Sequence, residues 1–145
     1  MKRTDPAIIV KEEFKTTKET LWKAITDINE MQHWYFTMIP DFAPTVGFKT
    51  EFEVSVENRT FTHVWEVTEV IPNKMITYIW TYLEYPGKAA VSFELLEKEG
   101  GLQLVLTLYV LENFPEDIPE FRRESCIHGW EYFLQGNLKD YMTHK

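Results

Sequence analysis

The chain is poor in the features that would commit it to a special environment. It has one cysteine, Cys126, so no internal disulfide can form and nothing argues against a reducing compartment. Lys and Arg number 15 against 23 Asp and Glu, a net charge of −8. That leaves no basic footprint for nucleic-acid phosphates and no patch that seeks an anionic membrane. Near the amino terminus only Ala7 to Val10 are consecutively apolar, too short a run for a signal-peptide core. No run approaches a membrane span. There is no phosphate-cradling glycine loop, no Gly-x-Ser-x-Gly elbow and no His-Glu-x-x-His. The four histidines, His33, His63, His128 and His144, lack metal-ligand spacing. The expectation is a cytoplasmic protein with no metal, no cofactor, no nucleic-acid partner and no membrane.

Aromatics, by contrast, make up 15% of the 145 residues. A chain of this length can bury roughly 70% of the surface it exposes when unfolded. An aromatic-rich chain of that size has either a dense core or a lined cavity. No repeat, low-complexity tract or linker interrupts it, so residues 1–145 read as a single domain.

The closing stretch, 117–143, predicts one long helix. Asp117 precedes Glu120 by three, a capping-box variant, and Pro119 suits the first turn. On a wheel centred on Trp130, Cys126, Ile127, Phe133, Leu134, Leu138 and Tyr141 share its side. His128, Gln135 and Lys139 fall opposite. Gly129 and Gly136 share a flank and leave room for another backbone.

Ahead of it, 7–15 reads as a strand. Thr16 with Glu19 is a second capping box, opening a helix over LWKAITDI (21–28). Asn29 with Gln32 starts a short helix through Trp34. Residues 35–46 form a loop too apolar for open solvent, which predicts that it folds over something. Period-two alternation then marks strands at 48–56, 61–71, 75–82, 89–97 and 102–110. Trp65, Val67 and Ile71 share one face of the second of these. Short turns imply an antiparallel meander. The order is β-α-α-β-β-β-β-β-α, an α+β chain with a curved sheet wrapped around the terminal helix.

Five segments in this order carry a resemblance: TLWKAITDINEMQHW (20–34), VGFKTEFEV (46–54), WEVTEVIPNKMITYIW (65–80), VSFELLEKEGGLQLVLTL (91–108) and GWEYFLQGNL (129–138). Together they resemble the helix-grip fold of the START-like, birch-pollen-allergen-like SRPBCC superfamily. Within it they resemble the branch named for the activator of the heat-shock-protein-90 ATPase. The resemblance implies a hydrophobic pocket between sheet and helix, and no particular reaction. Where the family usually has paired glycines this chain has Gly47-Phe48. Where it tends to have another glycine this chain has Trp65, and an indole there narrows a cavity.

Candidate ligand contacts on the inner faces are Trp34, His63, Trp65, Tyr78, Trp80, Phe93, Leu106, Arg123, Cys126, Trp130 and Phe133. Polar selectivity would rest on His63, Arg123, Tyr78 and Tyr82. Arg123 either pairs with an acid, lies beyond the sheet edge, or caps an anionic ligand head. His63 is a pocket handle or base, or a hydrogen-bonded structural histidine. Cys126 lies about 200° round the helix from His128, so the two cannot meet as a nucleophile pair. Glu66 and Glu69 fall on opposite faces unless a bulge intervenes, and so form no glycosidase pair. A ligand burying roughly 300 Å² gains about 7 kcal/mol gross, much of it lost to association costs.

Three functions follow as expectations. The first is binding of a small apolar or aromatic molecule under a 35–46 lid. The second is a chaperone ATPase-activator-like interaction module. The third is a pocket enzyme of cyclase or hydratase type, which requires a polar pair within reach in the cavity. A free edge at 7–15 would let two copies pair as a homodimer.

Overall fold

A computed structural model describes residues 1–145. Six strands form one antiparallel sheet: β1 (Ile8–Phe14), β2 (Lys49–Val56), β3 (Arg59–Ile71), β4 (Met75–Tyr82), β5 (Lys88–Lys98) and β6 (Gly101–Glu112). The spatial order is β1-β6-β5-β4-β3-β2. Strands β2 to β6 are hairpin-linked neighbours, and β1 closes onto β6 in the register Ile8↔Leu108 to Phe14↔Leu102. Alternation puts Leu102, Leu104, Leu106 and Leu108 on the inner face, each at most 5% exposed. The predicted α+β helix-grip order is the observed one.

Helices α1 (Lys18–Thr26) and α2 (Ile28–Trp34) bridge β1 to β2. Leu21, Ala24 and Ile25 give α1 its buried stripe. Both caps differ from the sequence reading by one or two positions. Thr17, not Thr16, accepts from the Thr20 N–H. Asp27, not Asn29, caps α2 through the Asn29 N–H at 2.9 Å. Asp27 ends α1 and begins α2 at once, which leaves Asn29 inside the helix.

The terminal helix also starts later than the sequence predicts. Pro119–Phe121 make one 3₁₀ turn, Arg122 is extended (φ −74°, ψ 145°), and helix runs from Arg123. Asp117 caps nothing; the break lets Phe121 turn into the core at 2% exposure. We call the whole C-terminal rod α3: α-helical over Arg123–Glu131, π-helical over Tyr132–Leu138, α-helical again over Lys139–Thr143. The Lys139 N–H reaches the Leu134 carbonyl five residues back. The wider turns matter for burial. Trp130, Leu134 and Leu138 repeat every four residues, a stripe that would drift round a regular α-helix. Extra residues per turn hold it on the sheet.

Other expectations change with the packing. A bulge between Val67 and Glu69 turns Ile71 outward, 43% exposed, and leaves Val70 against the core. The same bulge puts Glu66 and Glu69 on the same outer face, away from any cleft. A Cβ at Gly129 or Gly136 would meet nothing within 4 Å, so no second backbone uses that flank.

The β1 edge is covered rather than free. Arg123 Nη1 donates to the Pro6 carbonyl at 2.6 Å and Nη2 to that of Ala7 at 3.4 Å. Gln135 donates to Lys11 O at 3.1 Å, and Lys139 to Glu13 O. Helix side chains thus occupy the carbonyls a pairing strand would need. No helix is long and apolar enough to cross a membrane.

Candidate functional site

Most of the concavity between sheet and α3 is filled with rings. Tyr35 lies at its centre, with Trp34 at 4.5 Å, Phe133 at 5.0 Å, Trp65 at 5.2 Å and Trp130 at 5.9 Å between ring centroids. The loop after α2 supplies this plug. It folds over the inner face, as its apolar content predicts, but Tyr35, Ile39 and Phe42 are themselves buried there. The loop is therefore packing, not a lid over space. Trp65 is 1% exposed and occupies the place where its indole was expected to narrow a cavity.

The Tyr35 and Tyr78 hydroxyls hydrogen-bond at 2.9 Å. Burial raises both phenols above their ordinary range, so both stay protonated. This is a polar pair within reach, but it is enclosed in solid packing. Trp34 gives its N–H to the Ala24 carbonyl at 2.8 Å. Phe93 and Leu106 are core.

His63 points inward on β3 and is stacked on Phe52 at 4.8 Å. Its Nδ1 lies 3.0 Å from the Phe61 carbonyl. A carbonyl only accepts, so Nδ1 carries the proton and Nε2 the lone pair. Burial pushes the imidazole down to about 4, which keeps it neutral at pH 7.

An apolar hollow lies at the β6–α3 end of the grip, with a volume near 50 Å³. Trp80, Leu108, Phe114, Phe121, Cys126 and Trp130 form most of its wall, with Met1, Tyr82, Ala89 and Glu120 completing it. Larger concavities, near 690, 430, 330 and 170 Å³, are open surface grooves with mixed linings, and Arg123 borders the 330 Å³ groove between β1 and α3.

Of the candidate contacts, Trp80, Cys126 and Trp130 border the hollow. Trp34, His63, Trp65, Tyr78, Phe93, Leu106 and Phe133 do not; His63 packs on Phe36, Phe52 and Tyr82, and the others belong to the ring packing around Tyr35 or to the core. Arg123 stands outside it on β1. It pairs with no acid; its guanidinium donates to the Pro6 and Ala7 carbonyls. Sequence reasoning missed Phe114, which lies between the last predicted strand and the closing helix, and Phe121, which lies inside that predicted helix. Two aromatics in the short stretch Phe114–Phe121, otherwise proline, acid and Ile118, were the available signal.

That stretch forms one wall of the hollow. Phe114 N–H donates to Met1 O at 3.0 Å, and Met1 nitrogen to Phe121 O at 2.9 Å. Arg59 clamps Glu120 with bonds of 3.0 and 2.6 Å. Its hydrogen bonds hold the Glu120 carboxyl below the usual range. The Phe114 ring rests on Gly87, where φ is +121° and an added Cβ would come within 2.3 Å of it. Only glycine permits both that backbone and that contact.

Burial lifts the Cys126 thiol to about 11, with the nearby Trp130 indole partly offsetting it. Burial likewise raises Tyr82.

The Activator of Hsp90 ATPase homolog 1-like protein family model matches residues 15–143. Protein MLL2253 of Mesorhizobium loti is 22% identical, with a TM-score of 0.74 over 97% of this chain and 98% of that one. The Aha1 dimer of Colwellia psychrerythraea, known in solution, is 22% identical at TM-score 0.67, covering 95% and 96%. DynU16, a protein of the dynemicin biosynthetic locus, is 19% identical at TM-score 0.75; the match covers 96% of this chain and 48% of that longer one. No curated protein sequence matches.

Proposed function

This chain belongs to the Activator of Hsp90 ATPase homolog 1-like family, and from that premise we propose that it binds a small apolar or aromatic molecule between sheet and C-terminal helix. The observation that carries the reading is the hollow itself: apolar, at the β6–α3 end of the grip, with one wall made of loop. Its 50 Å³ is the space of roughly one or two waters, whereas a cavity near ~150 Å³ admits benzene. A guest therefore enters by displacing the Phe114–Phe121 wall, which is held by the Met1 bonds, the Arg59–Glu120 clamp and the packing of Phe114 and Phe121 on Tyr82. The acidic charge and single cysteine fit a cytoplasmic setting.

The test is thermal unfolding against a broad panel of small hydrophobic compounds. A ligand at ten times its Kd adds about 1.4 kcal/mol, or about 4 °C for a chain of this size. No upward shift with any compound, together with unchanged spectra of the hollow's residues, would remove the reading.

A second reading is a protein-interaction module, after the ATPase activation in the family's description. What favours it is an outer-face patch where β1 meets β6: Ile9, Tyr109 and Leu111 are 56%, 55% and 41% exposed. Stimulation of a purified Hsp90-type ATPase, lost on Tyr109→Ser, is its test. A second copy is the alternative occupant of that patch, and sedimentation of the chain alone distinguishes it.

A further inference from the structure

The sheet has two edges, β1 and β2, and only one of them is covered. Side chains of α3 occupy carbonyls along β1. Nothing does the same for β2. The Val67 N–H donates to the Phe48 carbonyl at 2.9 Å, and the register from Thr50↔Trp65 to Val56↔Arg59 carries that pairing along the strand. Backbone groups of an antiparallel strand turn to alternate sides. The even-numbered residues of β2 therefore bond β3, while Lys49, Glu51, Glu53 and Ser55 turn their N–H and C=O groups to the open edge. No other backbone group of the protein bonds these outward ones, and all four residues are exposed. Their side chains share the outer face. Lys49 pairs with Glu66 at 3.8 Å and Arg59 with Glu57 at 3.7 Å, which leaves Glu51 and Glu53 as unpaired carboxylates.

We infer that the β2 edge docks an extended segment of a partner protein, which joins the sheet as a further strand and carries Lys or Arg at alternate residues. An unpaired edge offers main-chain hydrogen bonds to any strand, so charge chooses the occupant. Glu51 and Glu53 stand two residues apart on one face, and side chains directly opposite across an antiparallel pair interact. Basic residues at the same spacing meet both carboxylates. The partner's intervening side chains turn to the inner face, where Val54 and Val56 are incompletely buried; apolar residues suit that side. A second copy of this strand is the wrong occupant. Antiparallel pairing centred on Phe52 sets Glu51 against Glu53 twice, and pairing centred on either glutamate sets it against itself. Like charges directly opposite destabilise a pair. The site is separate from the hollow and from the β1–β6 patch, and it stands or falls without them.

The probes are two capped hexapeptides, one alternating lysine and valine, the other with proline in place of each valine. Both carry the same charge, but proline removes N–H groups and the extended backbone that a ladder needs. Each is titrated into the full chain while backbone amide exchange is followed residue by residue by NMR. The valine peptide is expected to bind about tenfold more tightly than the proline peptide, as one or two recovered hydrogen bonds allow. It should also slow exchange at Glu51, Glu53 and Ser55, whose amides face water in the free chain, and leave β1 unchanged. Glu51→Lys with Glu53→Lys should transfer the preference to a peptide alternating glutamate and valine. Both positions are exposed; should that variant not fold, the wild-type comparison of the peptides decides alone. Equal binding of the two lysine peptides with no slowing on β2 overturns the inference, because the carboxylates then attract charge and the edge takes no strand. Binding of neither peptide overturns it too, as does wild type binding the glutamate peptide as tightly as the lysine one.

Discussion

His63 departs far from its behaviour in free solution. Burial favours the neutral ring and holds it near 4 in the folded chain, against about 6.5 when unfolded. Above pH 6.5 both states bind no proton there, and His63 leaves stability independent of pH. As pH falls from 6.5 towards 4, the unfolded state takes up a proton that the folded state refuses. Stability is then lost, on the order of 3 kcal/mol by pH 4. Urea unfolding of wild type and His63→Gln between pH 7 and 4 checks this, and an unchanged slope in the variant would refute it. Cys126 gives a second residue-scale prediction. With its thiol near 11, the thiolate fraction at pH 8 is about a hundredfold below that of an ordinary cysteine. Alkylation by iodoacetamide should be slower by about that factor and should recover full speed in denaturant.

At the scale of elements, α3 does two jobs with opposite faces. Its Trp130–Leu134–Leu138 stripe fills the grip, and the π-helical turns keep that stripe in line. From its flank Arg123, Gln135 and Lys139 reach the carbonyls along β1. An uncovered edge strand invites pairing with a second chain, so these bonds block pairing at that edge as well as anchoring the helix. Gln135→Ala with Lys139→Met should cost about 1 kcal/mol, because such exposed bonds contribute little each. The same pair should raise concentration-dependent self-association in sedimentation velocity. A variant as monodisperse as wild type at high concentration would show that the cover is incidental.

For the whole molecule, the question is how much of the grip is ring and how much is space. Packing has the larger share: the Tyr35 plug, Trp65 and Phe93 occupy the middle, and the hollow survives only where Ala89 is small and Phe114 leans on Gly87. Filling it should therefore stabilise the fold. At ~24 cal/mol per Å³ of void, removing it all contributes about 1 kcal/mol. Ala89→Val directs two methyl groups into the hollow, while Ala90→Val, on the outer face of the same strand, controls for β-propensity. The inner substitution should raise the urea midpoint more than the outer one, with m unchanged, and should abolish the thermal shift given by small ligands.

The strands, their faces and the family could be read from one chain, because a period of two and a run of short turns are local signals. The inward aim of Trp80, Cys126 and Trp130 was also local. The caps slipped by one or two residues where neighbouring threonines or Asp27 offered an equivalent oxygen, and a single residue added at the Val67–Glu69 bulge reversed the faces beyond it. What no local pattern could supply was the volume left over. That depended on the 35–46 loop turning its own rings inward, on Arg122 breaking the helix so that Phe121 could bury, and on Arg123 turning to β1 instead of the interior. Each is a contact between residues distant in the chain, and whether a grip is hollow or filled is the sum of such contacts.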